Sequence, residues 1–261
     1  TNGSLPDRVE SFVKEITKFI EDIEIGIQIS IDDFPEKHNK VRKIPDLFKS
    51  CLDTYFRVKS FGSNITSSAS ITVTQENCNN IENIFNYMFY DCKIDSIKGI
   101  LVRDEGVYKT PEKERKKIFE AYTWLVDKIT EFTEKGLMKN HNKDSLQGKL
   151  HNAKDKISYG LVKKMYLEPH YISPCHAGSL FGVITASGLV YPCEILDDKL
   201  LGDLRKNNMN FKEIWENKES IEAKKFIKKS KCNCTYECAL TYNVLGNWRY
   251  QPQLIKSVLK S

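Results

Sequence analysis

Hydrophobic positions in the first two-thirds of the chain alternate between helical and strand spacing. Apolar side chains recur every three or four positions in three segments, which predicts helices at 7–22, 45–60 and 80–90. Short runs rich in β-branched residues lie between them and predict strands at 24–31, 65–74 and 95–103. Two longer helices are predicted next, at 111–135 and about 143–166, with a polar loop near 140–144. This alternation indicates parallel strands joined by right-handed crossovers.

The pattern changes after residue 170, where shorter elements follow one another. Two apolar runs flank Ala186-Ser187-Gly188 and predict a β-hairpin over 181–193. The remaining segments predict two short helices, a cysteine-rich loop and a last helix, at 211–217, 219–229, 232–238 and 239–259. We therefore expect two domains, 1–168 and 169–261.

Composition and charge narrow the class of protein. Hydrophobic residues make up 40% of the chain, and 40 basic against 35 acidic residues leave a net charge of only +5. No basic patch is interleaved with aromatic residues, so nucleic-acid binding is not expected, and the lysine-rich stretch at 224–231 is interpreted as a solvated helix face. There is no apolar run long enough for a membrane span, and the first 15 residues do not resemble a secretory signal. The expected location is the cytoplasm.

The spacing of the cysteines carries the strongest chemical signal. Cys51, Cys78 and Cys92 lie in core-like segments, as buried thiols often do. The other five crowd into the last third, as Cys175-x12-Gly188-x4-Cys193 and then Cys232-x-Cys234-x3-Cys238. Clustered cysteines in a chain without a secretory signal indicate a metal site before disulfides.

Four converging thiolates suit either Zn²⁺ or a 4Fe–4S cluster, and spacing does not decide between them. The hairpin returns the chain so that Cys193 approaches Cys175, and the later loop supplies the other ligands. We expect Cys175, Cys193, Cys238 and one of Cys232 or Cys234, because in an extended stretch the latter two point to opposite sides. Cys234 is the first choice, which leaves Cys232 as the spare thiol or its substitute.

These motifs resemble a known family. The run CHAGSLFGVITASGLVYPCE, followed by LLGDL, FKEIW and Cys-x-Cys-x3-Cys, resembles the SPASM/twitch domain of radical S-adenosylmethionine (SAM) enzymes over about residues 175–240. Upstream, ISIDD (29–33), ITVTQEN (71–77) and IKGILVR (97–103) resemble the fourth, fifth and sixth strands of the radical SAM barrel. The resemblance implies an α/β fold, in which a partial radical SAM (β/α) barrel precedes a small α+β twitch/SPASM-like domain.

The resemblance also implies cofactors and residues that bind them. SAM, with a 4Fe–4S cluster that cleaves it, would lie at the strand ends near Ser30, Asp32, Asn77 and Arg103. Each residue has a structural alternative: Ser30 and Asp32 as strand-to-loop caps, Asn77 as a helix N-cap and Arg103 in a surface ion pair. The five clustered cysteines would hold an auxiliary 4Fe–4S cluster.

The sequence departs from the family pattern in two places. It holds fewer cysteines than the two-cluster SPASM pattern, which places it nearer the one-cluster twitch variant, and it lacks the Cys-x3-Cys-x2-Cys motif that binds the SAM-cleaving cluster. We expect that motif on a preceding segment, so that this chain alone is inactive.

Two functions follow from this reading of the sequence. The first is an enzyme that applies a 5′-deoxyadenosyl radical to an unidentified peptide or small molecule, supplied with electrons by a ferredoxin or flavodoxin. In that enzyme the auxiliary cluster would transfer electrons. The alternative is a non-catalytic zinc or iron–sulfur module.

Overall fold

The computed structural model describes residues 1–19, 24–61, 64–104, 109–139 and 145–260. The loop expected near 140–144 lies outside these ranges. The chain divides into two compact units, the first comprising 1–102 and 110–145 and the second 103–109 and 146–261. The domain boundary near residue 168 stays a prediction.

The first unit is built on a parallel sheet, as the sequence predicts. Its strands, in the order β1-β2-β3, are Ile25–Ser30, Ile65–Val73 and Ile97–Leu101. The register pairs Ile25 with Ile65 and Ala69 with Ile97. The central strand β2 is buried on both faces over much of its length, as its mixture of small and β-branched residues allows.

Five α-helices accompany this sheet in the ranges that the structure describes. They are α1 (Pro6–Ile16), α2 (Pro35–Arg42), α3 (Leu47–Lys59), α4 (Ile81–Asn86) and α5 (Glu112–Glu134). The first ends earlier than predicted, near Thr17, whose hydroxyl donates a hydrogen bond to the Val13 carbonyl (2.9 Å). The helix predicted over 80–90 continues beyond α4 as a π-helical turn.

Helix α2 was not predicted, because its sequence PEKHNKVR has no apolar periodicity. Its start is marked instead by Pro35 in the first turn, where the fixed φ of proline suits a helix and its missing N–H is no loss. The helix ends at Lys43, which adopts a left-handed conformation (φ 57°).

The second unit contains the remaining helices and a small antiparallel sheet. Its helices are α6 (Leu146–Leu167), α7 (Phe211–Glu216), α8 (Lys218–Ser230), α9 (Glu237–Gly246) and α10 (Gln251–Lys260). Strands β4 (Val183–Ile184) and β5 (Leu189–Tyr191) form the expected hairpin, with Gly188 at φ 92° in its turn. A third short strand, β6 (Gly202–Asp203), pairs with β5 and was not predicted.

The last helix differs from the single one predicted at 239–259. It is interrupted after Gly246, where Asn247 is extended and its side-chain oxygen accepts a hydrogen bond from the Arg249 N–H (3.1 Å). Such local bonding of an asparagine to the following backbone competes with helix continuation.

Across the described ranges, no helix combines the length and hydrophobicity that crossing a membrane requires.

Candidate functional site

Asp32, two residues after the end of β1, links the ends of β1 and β2. Its carboxylate accepts hydrogen bonds from the Arg42 guanidinium (2.5 Å to Nη2) and from the Thr72 N–H of β2 (3.0 Å). The side chain retains some exposure at 18%, against 33% for Arg42. Asp32 therefore orders the strand end, and its predicted contact with SAM stays a prediction. Ser30 ends β1 half-buried, with its N–H bonded to the Thr1 carbonyl (3.1 Å).

Asn77 joins the same edge from the loop after β2. Its amide nitrogen donates to the carbonyl oxygens of Asp32 (2.8 Å) and Thr72 (2.9 Å), and its side-chain oxygen accepts from the Thr74 N–H (2.8 Å). Because both amide hydrogens are bonded within the chain, Asn77 fixes the loop. Its predicted role at SAM stays a prediction.

A buried histidine–cysteine pair, which the sequence did not reveal, lies beside Asp32. The Asp32 N–H donates to Nδ1 of His38 (3.3 Å), and Nε2 of His38 is 3.8 Å from the Cys51 sulfur. The Cys51 thiol also donates to the Asn2 carbonyl (3.1 Å), and burial raises its pKa to about 11. An Nδ1 that accepts a hydrogen bond fixes the neutral Nε2–H tautomer of His38.

The neutral His38 predicts an acid-sensitive stability. Burial lowers the pKa of His38. The positive charge of Arg42 lowers it further, and the negative charge of Asp32 raises it by a smaller amount than burial lowers it. As the pH falls, the unfolded chain therefore takes up the histidine proton at a higher pH than the folded chain does. The contribution of His38 to the free energy of unfolding is complete above the ordinary histidine pKa of about 6.5 and is lost as the pH falls below it. We expect the free energy of unfolding to fall between about pH 7.5 and about pH 5.5, as measured by urea denaturation.

The matched variant is His38→Gln, which cannot take up this proton. Its stability should be lower at neutral pH and should change less over the same range. An equal decline in both proteins would show that His38 is not the group responsible.

The second unit brings three of the predicted cysteines together. Cys193 lies in a small buried cluster with Ala177 and Ile227, and the partly buried Cys175 and Cys232 pack against it. A hydrogen bond between the thiols of Cys175 and Cys232 lowers the pKa of Cys175 and raises that of Cys232. Burial raises the pKa of the nearby Cys193. These three sulfurs form the core of the candidate site.

Asn243 on α9 supports this group and was missed by the sequence reasoning. The side chain is buried, and its oxygen accepts a hydrogen bond from the His176 N–H (2.8 Å). It also hydrogen-bonds to the Cys175 sulfur and so favours the thiolate. An asparagine among the mainly apolar residues of α9 was the signal available in the sequence.

Cys238 lies in different surroundings from the other cysteines. It occupies the first turn of α9 rather than a loop, and although the residue is exposed, its sulfur hydrogen-bonds to Tyr236 and burial raises its pKa. Cys234 interacts electrostatically with Cys232. In the structure, Cys175, Cys193 and Cys232 therefore lie close together, and Cys234 follows Cys232 in the chain. Cys238 contacts Tyr236 instead.

Arg103 is placed beside Cys238 and its neighbours. It forms an ion pair with Glu194 (3.0 Å), the residue after Cys193, and its guanidinium stands 4.6 Å from the centre of the Tyr236 ring. Burial lowers the pKa of Arg103, but the ion pair with Glu194 raises it by more, so that the pKa lies above its ordinary value. The predicted contact of Arg103 with SAM stays a prediction.

The donor atoms fit a thiolate-bound metal group. The group offers sulfur from an apolar, partly buried setting, which suits zinc or an iron–sulfur cluster. Among the residues that the structure describes, no three or more His, Cys, Asp or Glu side chains are preformed around one ion. A cubane is wider than a single ion and its cysteine ligands stand farther apart, so the donor set is compatible with it.

The comparison with protein-family models agrees with this geometry. Residues 175–239 match SPASM, described as an iron–sulfur cluster-binding domain. This segment is similar to a SPASM domain. The match spans the cysteine group, the hairpin and α8, and it begins at Cys175. It confirms the SPASM part of the predicted resemblance, whereas the one-cluster twitch variant stays a prediction.

Solved structures extend the likeness to the whole chain. anSMEcpe, an anaerobic sulfatase-maturating radical SAM enzyme solved with AdoMet and the Kp18Cys peptide, has a TM-score of 0.55 and 18% identity, covering 100% of this chain and 75% of its own. A second structure of it, with AdoMet and the Cp18Cys peptide, has a TM-score of 0.54, 19% identity and coverages of 100% and 72%. The predicted fold, that of a radical SAM enzyme with a SPASM domain, is confirmed. No curated protein matches the sequence.

Proposed function

We propose that the chain serves a radical SAM enzyme in which the SPASM domain holds an auxiliary 4Fe–4S cluster for electron transfer. The observation that carries the proposal is the packing of Cys175 and Cys232 against the buried Cys193, within a segment that matches an iron–sulfur cluster-binding domain. SAM, when bound and reduced by one electron, would supply a 5′-deoxyadenosyl radical for removal of a hydrogen atom from the substrate. Cys175, Cys193 and Cys232 would hold the auxiliary cluster, which would supply one-electron redox chemistry for the substrate radical.

The residues of this chain position the reactants. Asp32, Arg42 and Asn77 order the carboxyl ends of β1 and β2, the edge at which parallel α/β sheets bind ligands. Ser30 completes this edge, and in the proposal it contacts SAM together with Asp32 and Asn77. In the other unit, Asn243 holds Cys175 in the orientation and protonation state that a metal ligand needs.

The proposed substrate is a peptide, because structures with the same fold bind peptides. A ferredoxin or flavodoxin would supply the electrons. The location proposed is the cytoplasm, where the eight free cysteines would stay reduced.

The first experiment is anaerobic reconstitution of the 261-residue chain, followed by measurement of iron, sulfide and zinc. We expect a brown protein with about four iron and four sulfide ions per chain. Because the sequence lacks Cys-x3-Cys-x2-Cys, incubation with SAM and dithionite should give no 5′-deoxyadenosine above background.

The same measurements distinguish the alternative function. A colourless protein with one tightly bound zinc ion, and no affinity for iron, would favour the non-catalytic module. Release of 5′-deoxyadenosine by this chain alone would show that the SAM-cleaving site has been misplaced.

A further inference from the structure

Helix α8 has two faces of opposite character. Ser220, Ala223 and Ile227 are buried, and Ile227 belongs to the cluster that contains the cysteines. Successive helical residues are rotated by about 100°, so positions two before and two after Ile227 point away from the cysteines. Lys225 and Lys229 occupy those positions, and Lys228 joins them on the exposed side. We call Lys225, Lys228 and Lys229 the lysine face.

The lysine face carries positive charge that no described carboxylate pairs with. Residues 224–231 contain five lysines and no acidic residue. Within the described part of the chain, no carboxylate lies within 4.0 Å of Lys225, Lys228 or Lys229. A lysine near a helix C-terminus interacts favourably with the helix dipole, but only within the last turn. This interaction therefore does not explain the positive charge at Lys225.

Apolar side chains are exposed among these charges. Ile221 is 46% exposed and Phe226 is 43% exposed. The Lys199 ammonium, which forms an ion pair with Asp198 (2.6 Å), stands 4.6 Å from the centre of the Phe226 ring. An exposed aromatic residue on the same helix as unpaired lysines offers a protein partner both apolar contact and electrostatic complementarity.

We infer that the lysine face docks an acidic one-electron carrier protein that exchanges its electron with the cluster held by the cysteines. Only the thickness of one helix, about 10 Å, separates this face from the cysteine group. In the exchange the carrier loses the one electron that the cluster gains, and no bond is made or broken. The inference rests on the proposed function, because it requires a redox-active group at the cysteines.

An acidic peptide substrate would also be attracted by lysines. The buried side of α8, however, contacts the cysteine group. Positive charge on the opposite side of the same helix therefore favours a partner that exchanges electrons with the cluster over a substrate.

The test compares two triple variants with equal changes in charge. One is Lys225→Glu/Lys228→Glu/Lys229→Glu, and the control is Lys164→Glu/Lys206→Glu/Lys212→Glu, at exposed lysines outside α8. Binding of an acidic 2Fe–2S ferredoxin is measured first, with and without the cluster, over a range of salt concentrations. Stopped-flow absorbance then gives the rate at which the reduced ferredoxin reduces the cluster.

At low ionic strength we expect the lysine-face variant to lose at least about tenfold in binding and in the rate of reduction by ferredoxin, and the control about threefold or less. Salt should remove the difference. Iron content and reduction by dithionite, which needs no docking, should be unchanged.

Equal losses in the two variants, or a ferredoxin rate independent of salt, would overturn the inference. So would ferredoxin binding that is unchanged while affinity for an acidic peptide or for a random-sequence RNA falls. A chain that assembles no cluster would instead contradict the proposed function, and the binding measurement on that chain still tests the docking surface.

Discussion

Replacing Cys175 with serine is expected to abolish assembly of the auxiliary cluster. Cys175 lies at the centre of the cysteine group, where its sulfur receives hydrogen bonds from Cys232 and Asn243. Serine is nearly isosteric but does not bind iron as a thiolate does. Since loss even of a residue that only supports a ligand costs about 10–100-fold in metal affinity, we expect iron and sulfide in Cys175→Ser to fall to about a tenth or less of the unmodified level.

The control is Cys92→Ser, which alters a half-buried thiol in the other unit. It should retain the full iron content and the visible absorption of the cluster. A cluster that survives in Cys175→Ser would refute the assignment. A comparable loss in Cys92→Ser would mean that iron uptake reflects general folding.

The same assay separates the remaining cysteines. Because Cys232 contacts Cys175 whereas Cys238 contacts Tyr236, Cys232→Ser should lower the iron content at least as much as Cys238→Ser. If Cys238→Ser alone removes the cluster, the cysteines regroup when the metal binds, and the ligand set expected from the sequence is the right one.

Replacing Phe85 with alanine is expected to cause a large loss of stability in the first unit. The Phe85 side chain is fully buried, and its ring centre lies 5.3 Å from that of Phe132 and 5.9 Å from that of Trp124. Removing it leaves a cavity and breaks two edge-to-face contacts. Such substitutions cost about 3–5 kcal/mol, which is a large share of the stability of an ordinary domain.

Urea denaturation followed by tryptophan fluorescence would measure this loss, since Trp124 lies against the Phe85 ring. The control is Phe12→Ala on α1, where the side chain is 51% exposed and the cost should be within about 0.5 kcal/mol. A cost below about 1 kcal/mol for Phe85→Ala would mean that the aromatic cluster closes around the cavity.

Periodicity and spacing predicted much of this fold and part of the site. The parallel strands and the hairpin were predicted because β-branched runs and Gly188 leave strong local signals. Helix α2 and the interruption at Asn247 were not, because each depends on a proline or an asparagine acting locally against the hydrophobic pattern.

The sequence predicted which residue types form the candidate site, but only part of their spatial arrangement. Cysteine spacing brought Cys193 to Cys175, but the choice between Cys232 and Cys234 assumed a fully extended stretch. Helix α9 begins at Glu237 and therefore includes Cys238, whose sulfur then meets Tyr236, Glu194 and Arg103. Contacts such as that of Arg103 with Glu194 join residues 91 positions apart, and no local pattern encodes them.

Helix α8 also limits how this part of the chain can change in length. It runs from Lys218 to Ser230 and stops at Lys231, which has a left-handed conformation (φ 50°) immediately before Cys232. One residue inserted within the helix would turn everything after it by about 100° relative to the part before it. The lysines would then no longer lie opposite the cysteine group, or Cys232 would no longer lie beside Cys175. Insertions and deletions should therefore be excluded from α8.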